Sequence, residues 1–176
     1  MREIIIIAGP NGAGKTSFAN EYLPAEHEAL LFINADEIAR DLASTGLSGA
    51  ALDLRAGRVM LAQIDDAIRQ GREIMFETTL TTIGYAQKIP RWQQEGYHVS
   101  LIYLRLPSVE DSIARVRRRV QAGGHDVPEE TILRRFSKSL EYLEARYKPI
   151  VDEWYIWNSL EGDFQLVEAW DDEQAT

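Results

Sequence analysis

Gly9-Pro10-Asn11-Gly12-Ala13-Gly14-Lys15-Thr16, followed by Ser17, is the stretch that decides the fold. It matches the pattern G-x-x-x-x-G-K-[ST] in full, comes directly after an apolar run and precedes a helix-like segment. Glycines let backbone N–H groups turn toward phosphate oxygens, and the N-terminal dipole of the next helix favours the same anions. The stretch therefore predicts a phosphate-binding loop.

Two side chains of this loop have expected chemical tasks. Lys15 is predicted to reach the β- and γ-phosphates of ATP, and the Thr16 hydroxyl is predicted to ligate Mg²⁺. Residues 9–17 together are the expected cofactor-binding segment, with ATP and Mg²⁺ as the cofactors.

Composition limits the classes of protein to consider. The 176 residues suit one domain over 1–176, and 45% hydrophobic with 27% charged residues is ordinary for a globular chain. There is no cysteine, which excludes disulfides and thiolate nucleophiles. The net charge of −9 counts against a nucleic-acid partner. No apolar run is long enough to span a membrane, no secretory leader is evident, and the expected location is the cytoplasm.

Short apolar runs alternate with helical patterns. The runs lie at 3–8, 30–34, 73–77, 98–106 and 154–158, with a sixth candidate at 164–170. Apolar residues recur at helical spacing over 52–68, 109–120 and 132–147. Segment 81–95 is left open because Pro90 would kink or end a helix there. The alternation predicts an α/β P-loop NTPase fold, with a mainly parallel five-stranded sheet sandwiched by helices.

Acidic residues follow two of the predicted strands, at the sheet edge where ligands bind in open parallel sheets. Asn34 and Glu37 resemble a capping box, which puts Asp36 in the first turn of a helix. A kinase needs a carboxylate there to accept the proton of the acceptor hydroxyl, so Asp36 is the candidate base and a substrate contact. The alternative is a solvated aspartate that interacts with the helix dipole.

Glu77 and Thr78 end the third predicted strand. Glu77 is a candidate Mg²⁺ ligand, through water, and also a candidate substrate contact together with Thr78. Both roles are open at this point.

Arginines flank a glycine loop in the second half of the chain. Residues 109–120 form one predicted helix, 123–128 interrupt it, and Pro128 begins another. The arginines concerned are Arg115, Arg118 and Arg119 on the first arm and Arg134 and Arg135 on the second. We expect residues 115–135 to form a helical lid whose arginines neutralise charge on the transferred phosphoryl group. The alternative is a solvated pair of salt-bridged helices.

Asn158 follows a predicted strand and is a candidate adenine contact; a simple turn is the alternative. His125, in the glycine loop, is a candidate polar lid contact, although a lone histidine in a turn is more often solvated.

Taken in order, the motifs resemble the short zeta-toxin-like P-loop kinases. The resemblance is carried by GPNGAGKTS at 9–17, FINADEIAR at 32–40, FETTL at 76–80, RVRRRVQAGGHDVPEETILRRF at 115–136 and VDEWYIWNS at 151–159. The phosphate loop is common to many NTPases, whereas a GGHxVP lid between arginines is much more specific.

The resemblance implies a P-loop kinase that phosphorylates a UDP-linked N-acetylhexosamine and pairs with an antitoxin protein. It implies Lys15 and Thr16 for the phosphates and Mg²⁺, Asp36 as base, and Glu77 as a metal or substrate contact. Arg119, with Arg134 or Arg135, would close the lid. The stretch after Asp36 lacks the His-Pro dipeptide that follows the base in the well-studied zeta toxins. Arg40 is the candidate for the arginine that binds substrate in those proteins.

The leading hypothesis is therefore an ATP-dependent kinase that acts on a small-molecule hydroxyl. Two alternatives remain: an ATP-binding regulatory module with little transfer activity, and a polynucleotide-end kinase.

Overall fold

The computed structural model describes residues 1–22 and 30–170. Its strands are β1 (Arg2–Ala8), β2 (Leu31–Ile33), β3 (Ile74–Thr78), β4 (Tyr97–Arg105), β5 (Glu153–Leu160) and β6 (Asp163–Ala169). Its helices are α1 (Lys15–Tyr22), α2 (Ala35–Ala43), α3 (Gly49–Arg69), α4 (Gly84–Gln94), α5 (Val109–Gln121) and α6 (Glu129–Tyr142), followed by a π-helical turn, Leu143–Tyr147.

The strands form one sheet in the order β2-β3-β1-β4-β5-β6. The first five are parallel, as predicted, and β6 pairs antiparallel with β5. The expectation of a five-stranded sheet was wrong by one strand, because a tight turn at Gly162 returns the chain alongside β5. The α/β P-loop NTPase fold class is confirmed.

Hydrophobic packing on both faces explains why β1 lies inside the sheet. Ile4 and Ile6 contact a cluster formed with α3 and α4, whereas Ile5 and Ile7 contact a second cluster that includes Phe18 of α1. All four isoleucines are buried, each contributing about 1.5–3 kcal/mol. This double burial fixes the carboxyl end of β1, from which the phosphate loop emerges.

Helix α4 runs through Pro90, which the sequence left open. The inner face of α4 buries Tyr85, Ile89 and Trp92 in the first cluster. Packing of these three large side chains offsets the roughly 3 kcal/mol that an interior proline costs a helix. The helix therefore continues past Pro90.

Among the described residues, no helix combines the length and the apolar character that crossing a bilayer requires.

Candidate functional site

The phosphate loop is held open by its own backbone and by α5. Gly12 and Gly14 have φ angles of 81° and 82°, which side chains rarely tolerate. A Cβ at Gly12 would lie 2.9 Å from Cβ of Arg115, so α5 approaches the loop too closely for any larger residue. The loop thus has the backbone of a phosphate cradle, with no room for a side chain at Gly12.

Lys15 lies folded over the loop that precedes it. Its Nζ donates hydrogen bonds to the carbonyl oxygens of Gly9 and Pro10, at 3.1 and 3.2 Å. Burial lowers the pKa of Lys15, and the carboxylates of Glu77 and Asp36 oppose that shift. Lys15 and both carboxylates therefore line one cavity and influence each other electrostatically.

Glu77 and Thr16 form the oxygen pair next to the loop. Strand β3 lies beside β1, with Glu77 opposite Ile7, and the Thr16 hydroxyl donates to Glu77 Oε1 at 2.7 Å. Burial raises the pKa of Glu77, while the bond from Thr16 and the charge of Lys15 lower it. These two oxygen donors suit Mg²⁺, which typically takes one or two protein ligands together with phosphates and waters. Among residues 1–22 and 30–170, no group of three or more His, Asp or Glu side chains could hold a metal ion by itself.

Asp36 lies in the first turn of α2, after a strand that does not adjoin β1. Asn34 caps α2, as predicted, but its Oδ1 accepts from the N–H of Asp36 at 2.8 Å, and no return bond from Glu37 accompanies it in the described part of the chain. Strand β2 is separated from β1 by β3, so β2 is not the neighbour of the phosphate-loop strand. Asp36 nevertheless lies close enough to Lys15 and Glu77 to influence the pKa of both.

A cavity of about 260 Å³, the main cavity, joins the predicted elements. Its wall includes nine residues predicted from the sequence: Asn11, Gly12, Lys15, Asp36, Glu77, Thr78, Arg119, His125 and Arg135. Asn11 and Arg119 line this cavity, and Asn11 Oδ1 and Arg119 Nε are buried without a hydrogen-bond partner among the described residues. Unpaired buried polar atoms are costly, so their presence here points to a polar ligand.

The rest of the predicted set lies around the cavity or away from it. Gly9, Pro10, Ala13, Gly14, Thr16 and Ser17 form the phosphate loop and the start of α1 without lining the cavity wall. Arg40 lines a second, side cavity that shares Asp36, Arg119 and His125 with the first. Arg134 is exposed on α6, and Asn158 lies within the β5 ladder opposite Arg105 and Gln165; neither lines either cavity.

The lid arginines differ in their surroundings. Arg119 donates to the carbonyl of His125 at 3.1 Å, which ties the loop between α5 and α6 to the end of α5. Gly124 passes so close to Arg119 Cγ that a Cβ there would overlap it. Burial lowers the pKa of Arg135, and Asp53 opposes that shift. The prediction of a helix–loop–helix with arginines on both arms holds, with one arginine of each arm in the main cavity.

Arg115 and Ser159 form a clamp on the phosphate loop that the sequence did not reveal. Arg115 donates to Ser159 Oγ at 2.8 Å and to the Ser159 carbonyl at 2.9 Å. Ser159 Oγ in turn donates to the carbonyl of Ala13 at 2.7 Å, and Ser112 Oγ donates to the carbonyl of Asn11 at 2.5 Å. The first arm of the lid is therefore anchored to the phosphate loop. Ser159 directly follows Asn158, the residue that the sequence had singled out. Because adjacent residues of a strand point to opposite faces, only one of the two can face the phosphate loop.

Asp53 of α3 and the threonines Thr79, Thr81 and Thr82 also line the main cavity without having been predicted. Asp53 lies in a stretch whose apolar spacing indicates only a packed helix. Thr79 belongs to the FETTL stretch but had no role assigned to it, and Thr81 and Thr82 lie in a loop without a motif. No local pattern could have identified them.

Comparisons with known proteins agree with this geometry. The family model described as AAA domain matches residues 4–143. An uncharacterized protein of Haemophilus influenzae is 29% identical over 132 residues, which cover 75% of this chain and 91% of that protein.

Three solved structures share the fold. The AvrRxo1-ORF1:-ORF2 structure with ATP aligns at a TM-score of 0.72 and 19% identity, over 96% of this chain and 58% of that chain. The PezAT toxin-antitoxin system of Streptococcus pneumoniae aligns at 0.65 and 18% identity, over 96% and 72%. A gluconokinase from Sinorhizobium meliloti aligns at 0.54 and 18% identity, over 90% and 85%. The chain thus spans less than two thirds of the first of these proteins.

Proposed function

The chain belongs to the AAA domain family, and we propose that it is an ATP-dependent kinase that transfers the γ-phosphate of ATP to a hydroxyl of a small molecule. One observation carries this proposal: a single cavity brings Lys15, Asp36 and Glu77 together with one arginine from each arm of the lid. A protein that only bound ATP would need the phosphate loop, but not a carboxylate across from it.

In the proposed reaction the acceptor hydroxyl loses its proton to Asp36 as its oxygen forms a bond to the γ-phosphorus. The bond from that phosphorus to the β–γ bridging oxygen breaks, and ADP leaves. Lys15 and the phosphate-loop N–H groups hold the phosphates, and Arg119 and Arg135 compensate the charge that spreads over the transferred group. Thr16 and Glu77 are the residues that would hold Mg²⁺, which neutralises phosphate charge when bound.

The finer assignment follows the zeta-toxin resemblance. That resemblance supports testing a UDP-linked N-acetylhexosamine as acceptor, and the fold similarity to the PezAT toxin-antitoxin system supports testing an antitoxin as partner. The similarity to a gluconokinase supports testing simple sugars beside it. A reaction that consumes ATP also fits the cytoplasmic location expected from the sequence.

Incubation with γ-labelled ATP and Mg²⁺ tests the proposal directly. The panel contains nucleotide sugars, simple sugars, nucleosides and oligonucleotides with free terminal hydroxyls, and mass spectrometry identifies the product. The proposal predicts a phosphorylated small molecule. ATP binding without any labelled product would favour the regulatory module, and a labelled oligonucleotide would favour the polynucleotide-end kinase.

A further inference from the structure

We propose that the part of the main cavity lined by Thr79 and Thr81 is a subsite for a compact, uncharged polyhydroxyl acceptor, bound by the hydroxyls of these two threonines. This inference rests on the proposed kinase function, because it names the class of alcohol that occupies the same site. Four features of the wall carry it: the fixed shape of one loop, its paired hydroxyls, the local charge and the size of the space.

The loop of residues 78–82 is held in a conformation that its sequence does not favour. Leu80 has a φ of 59°, in the left-handed region, yet its side chain is completely buried in the first hydrophobic cluster. The N–H of Leu80 donates to Thr78 Oγ1 at 3.0 Å, and the hydroxyl of Tyr147 donates to the carbonyl of Thr82 at 2.6 Å. Such a backbone persists only where the surroundings over-determine it, so this wall is rigid and strained.

The bend at Leu80 brings two threonine hydroxyls together at the cavity wall. Thr79 Oγ1 and Thr81 Oγ1 lie 3.1 Å apart and form a hydrogen bond, and both residues line the main cavity. A threonine hydroxyl both donates and accepts hydrogen bonds. The pair can therefore bind two hydroxyls on neighbouring carbons of one acceptor, which a single threonine cannot do.

The charge of this region favours an acceptor without a negative group. Asp36 and Asp53 both line the cavity and both interact electrostatically with the guanidinium of Arg135. A neutral polyol can donate its hydroxyl protons to these carboxylates. An anionic acceptor would be repelled by both carboxylates, which also offset part of the charge of Arg135. The other cations of the wall, Lys15 and Arg119, are assigned to the phosphates of ATP.

The division of the space into two adjoining cavities bears on the size of the acceptor, because the main cavity is about 260 Å³ and the side cavity about 380 Å³. The main cavity, about 260 Å³, also includes the surface at the phosphate loop, so only part of it is left for the acceptor. A nucleotide-linked acceptor would have to extend into the side cavity and pass Arg40. Arg40 and the threonine pair therefore distinguish an extended acceptor from a compact one.

Steady-state transfer by the full chain, with ATP and Mg²⁺, tests the subsite. The probes are glycerol, D-glucose and myo-inositol as neutral polyols, D-gluconate as an anionic polyol, and UDP-N-acetylglucosamine as a nucleotide-linked one. The variants are Thr79→Val and Thr81→Val, which keep the side-chain shape, with Arg40→Ala as the discriminator. Thr45→Val is the matched control, because Thr45 is exposed at the end of α2 and lines neither cavity.

We expect transfer to at least one neutral polyol. Thr79→Val and Thr81→Val should each raise the KM for that polyol about tenfold, the effect of one lost net hydrogen bond, while the KM for ATP stays unchanged. Thr45→Val should behave like the wild type, and a rise in the acceptor KM for Arg40→Ala that matches the rise in the threonine variants would overturn the compact acceptor.

Transfer to UDP-N-acetylglucosamine or gluconate but to no neutral polyol would overturn the subsite and leave the kinase proposal standing. An unchanged acceptor KM in both threonine variants would do the same. Failure of ATP-dependent transfer to every alcohol, with ATP still bound, would overturn the kinase proposal together with the subsite.

Discussion

Burial and neighbouring charges together determine the pKa values of the ionisable residues at this site. Lys15 and Glu77 are shifted by burial in opposite directions, the lysine toward a lower pKa and the glutamate toward a higher one. Their proximity offsets both shifts, because each stabilises the charged form of the other. The free site thus holds two buried ionisable groups next to the phosphate loop, and a bound nucleotide with Mg²⁺ would compensate both.

The raised pKa of Glu77 predicts a pH dependence of stability. The folded state binds this proton more tightly than the unfolded state, whose pKa stays near the ordinary 4.5. The stabilisation is therefore complete below pH 4.5 and is lost as the pH rises through the folded-state pKa. We expect the unfolding free energy of the wild type to fall relative to Glu77→Gln over this window, measured by urea unfolding at a series of pH values. A difference between the two proteins that is independent of pH would contradict the expected shift.

Asp36→Asn tests the proposed base. An amide of the same shape can hydrogen-bond the acceptor hydroxyl but cannot take its proton. We expect the transfer rate to fall by about 10²- to 10⁴-fold, with ATP affinity and thermal unfolding close to those of the wild type. Asp41→Asn is the matched control, since Asp41 is exposed on the same helix and lines neither cavity. A shift in the thermal midpoint with normal transfer would return Asp36 to the role of a helix-dipole aspartate.

At the scale of elements, the two arms of the lid have different attachments. Helix α5 is bonded to the phosphate loop through Ser112 and Arg115, whereas the connection from α5 to α6 is made by the loop that carries Gly123 and Gly124. Gly123 has a φ of 90° and nothing within 4 Å of the position where its Cβ would be. Any closing movement should therefore involve this loop and α6 rather than α5.

The lid arginines offer a matched pair of adjacent residues. Arg135 lines the main cavity, whereas Arg134 is exposed and does not. We expect Arg119→Ala and Arg135→Ala each to lower kcat by about 10³-fold, because their charge acts where the phosphoryl charge is redistributed. Arg134→Ala should stay within a few-fold of the wild type. Equal losses in Arg134→Ala and Arg135→Ala, measured by initial rates at saturating ATP, would show that general charge and not position is responsible.

The clamp between α5, β5 and the phosphate loop can be tested through Ser159. Its hydroxyl is buried, accepts from Arg115 and donates to the carbonyl of Ala13. Ser159→Ala should lower the unfolding free energy by about 1–3 kcal/mol, because two buried groups lose a partner, and should weaken ATP binding. Ser44→Ala, at an exposed helix end, is the control. Unchanged ATP affinity in a destabilised Ser159→Ala protein would reduce the clamp to a purely structural contact.

For the whole molecule, sequence patterns predicted the parts and not their arrangement. The five parallel strands and the N-cap at Asn34 follow from local patterns, and the structure confirms them. The placement of β3 between β2 and β1 depends on long-range packing, which no local pattern encodes. The same holds for α4 through Pro90, whose continuity depends on a buried face.

The candidate site likewise combines residues that a local motif predicts with residues that only the fold brings together. Residues with a motif, such as Lys15 and Glu77, could be predicted, and they lie in one cavity. The Arg115–Ser159 clamp and the Thr79–Thr81 pair could not be, because each joins side chains through the fold or through a strained backbone. Ser159, whose hydroxyl contacts the phosphate loop, directly follows Asn158, and adjacent residues of a strand point to opposite faces of the sheet. The adenine contact of Asn158 stays a prediction.

The central claim, that this chain moves a phosphoryl group and does not merely bind ATP, is tested most directly by a single-turnover experiment. Enzyme in excess over γ-labelled ATP is mixed with the best acceptor of the panel, for the wild type and for Lys15→Ala, and label in the acceptor is followed over time. We predict that the wild type transfers the label to one alcohol with one ADP formed per product, and that Lys15→Ala loses most of this rate. Bound ATP that remains intact in the wild type, or equal transfer by Lys15→Ala, would contradict the account.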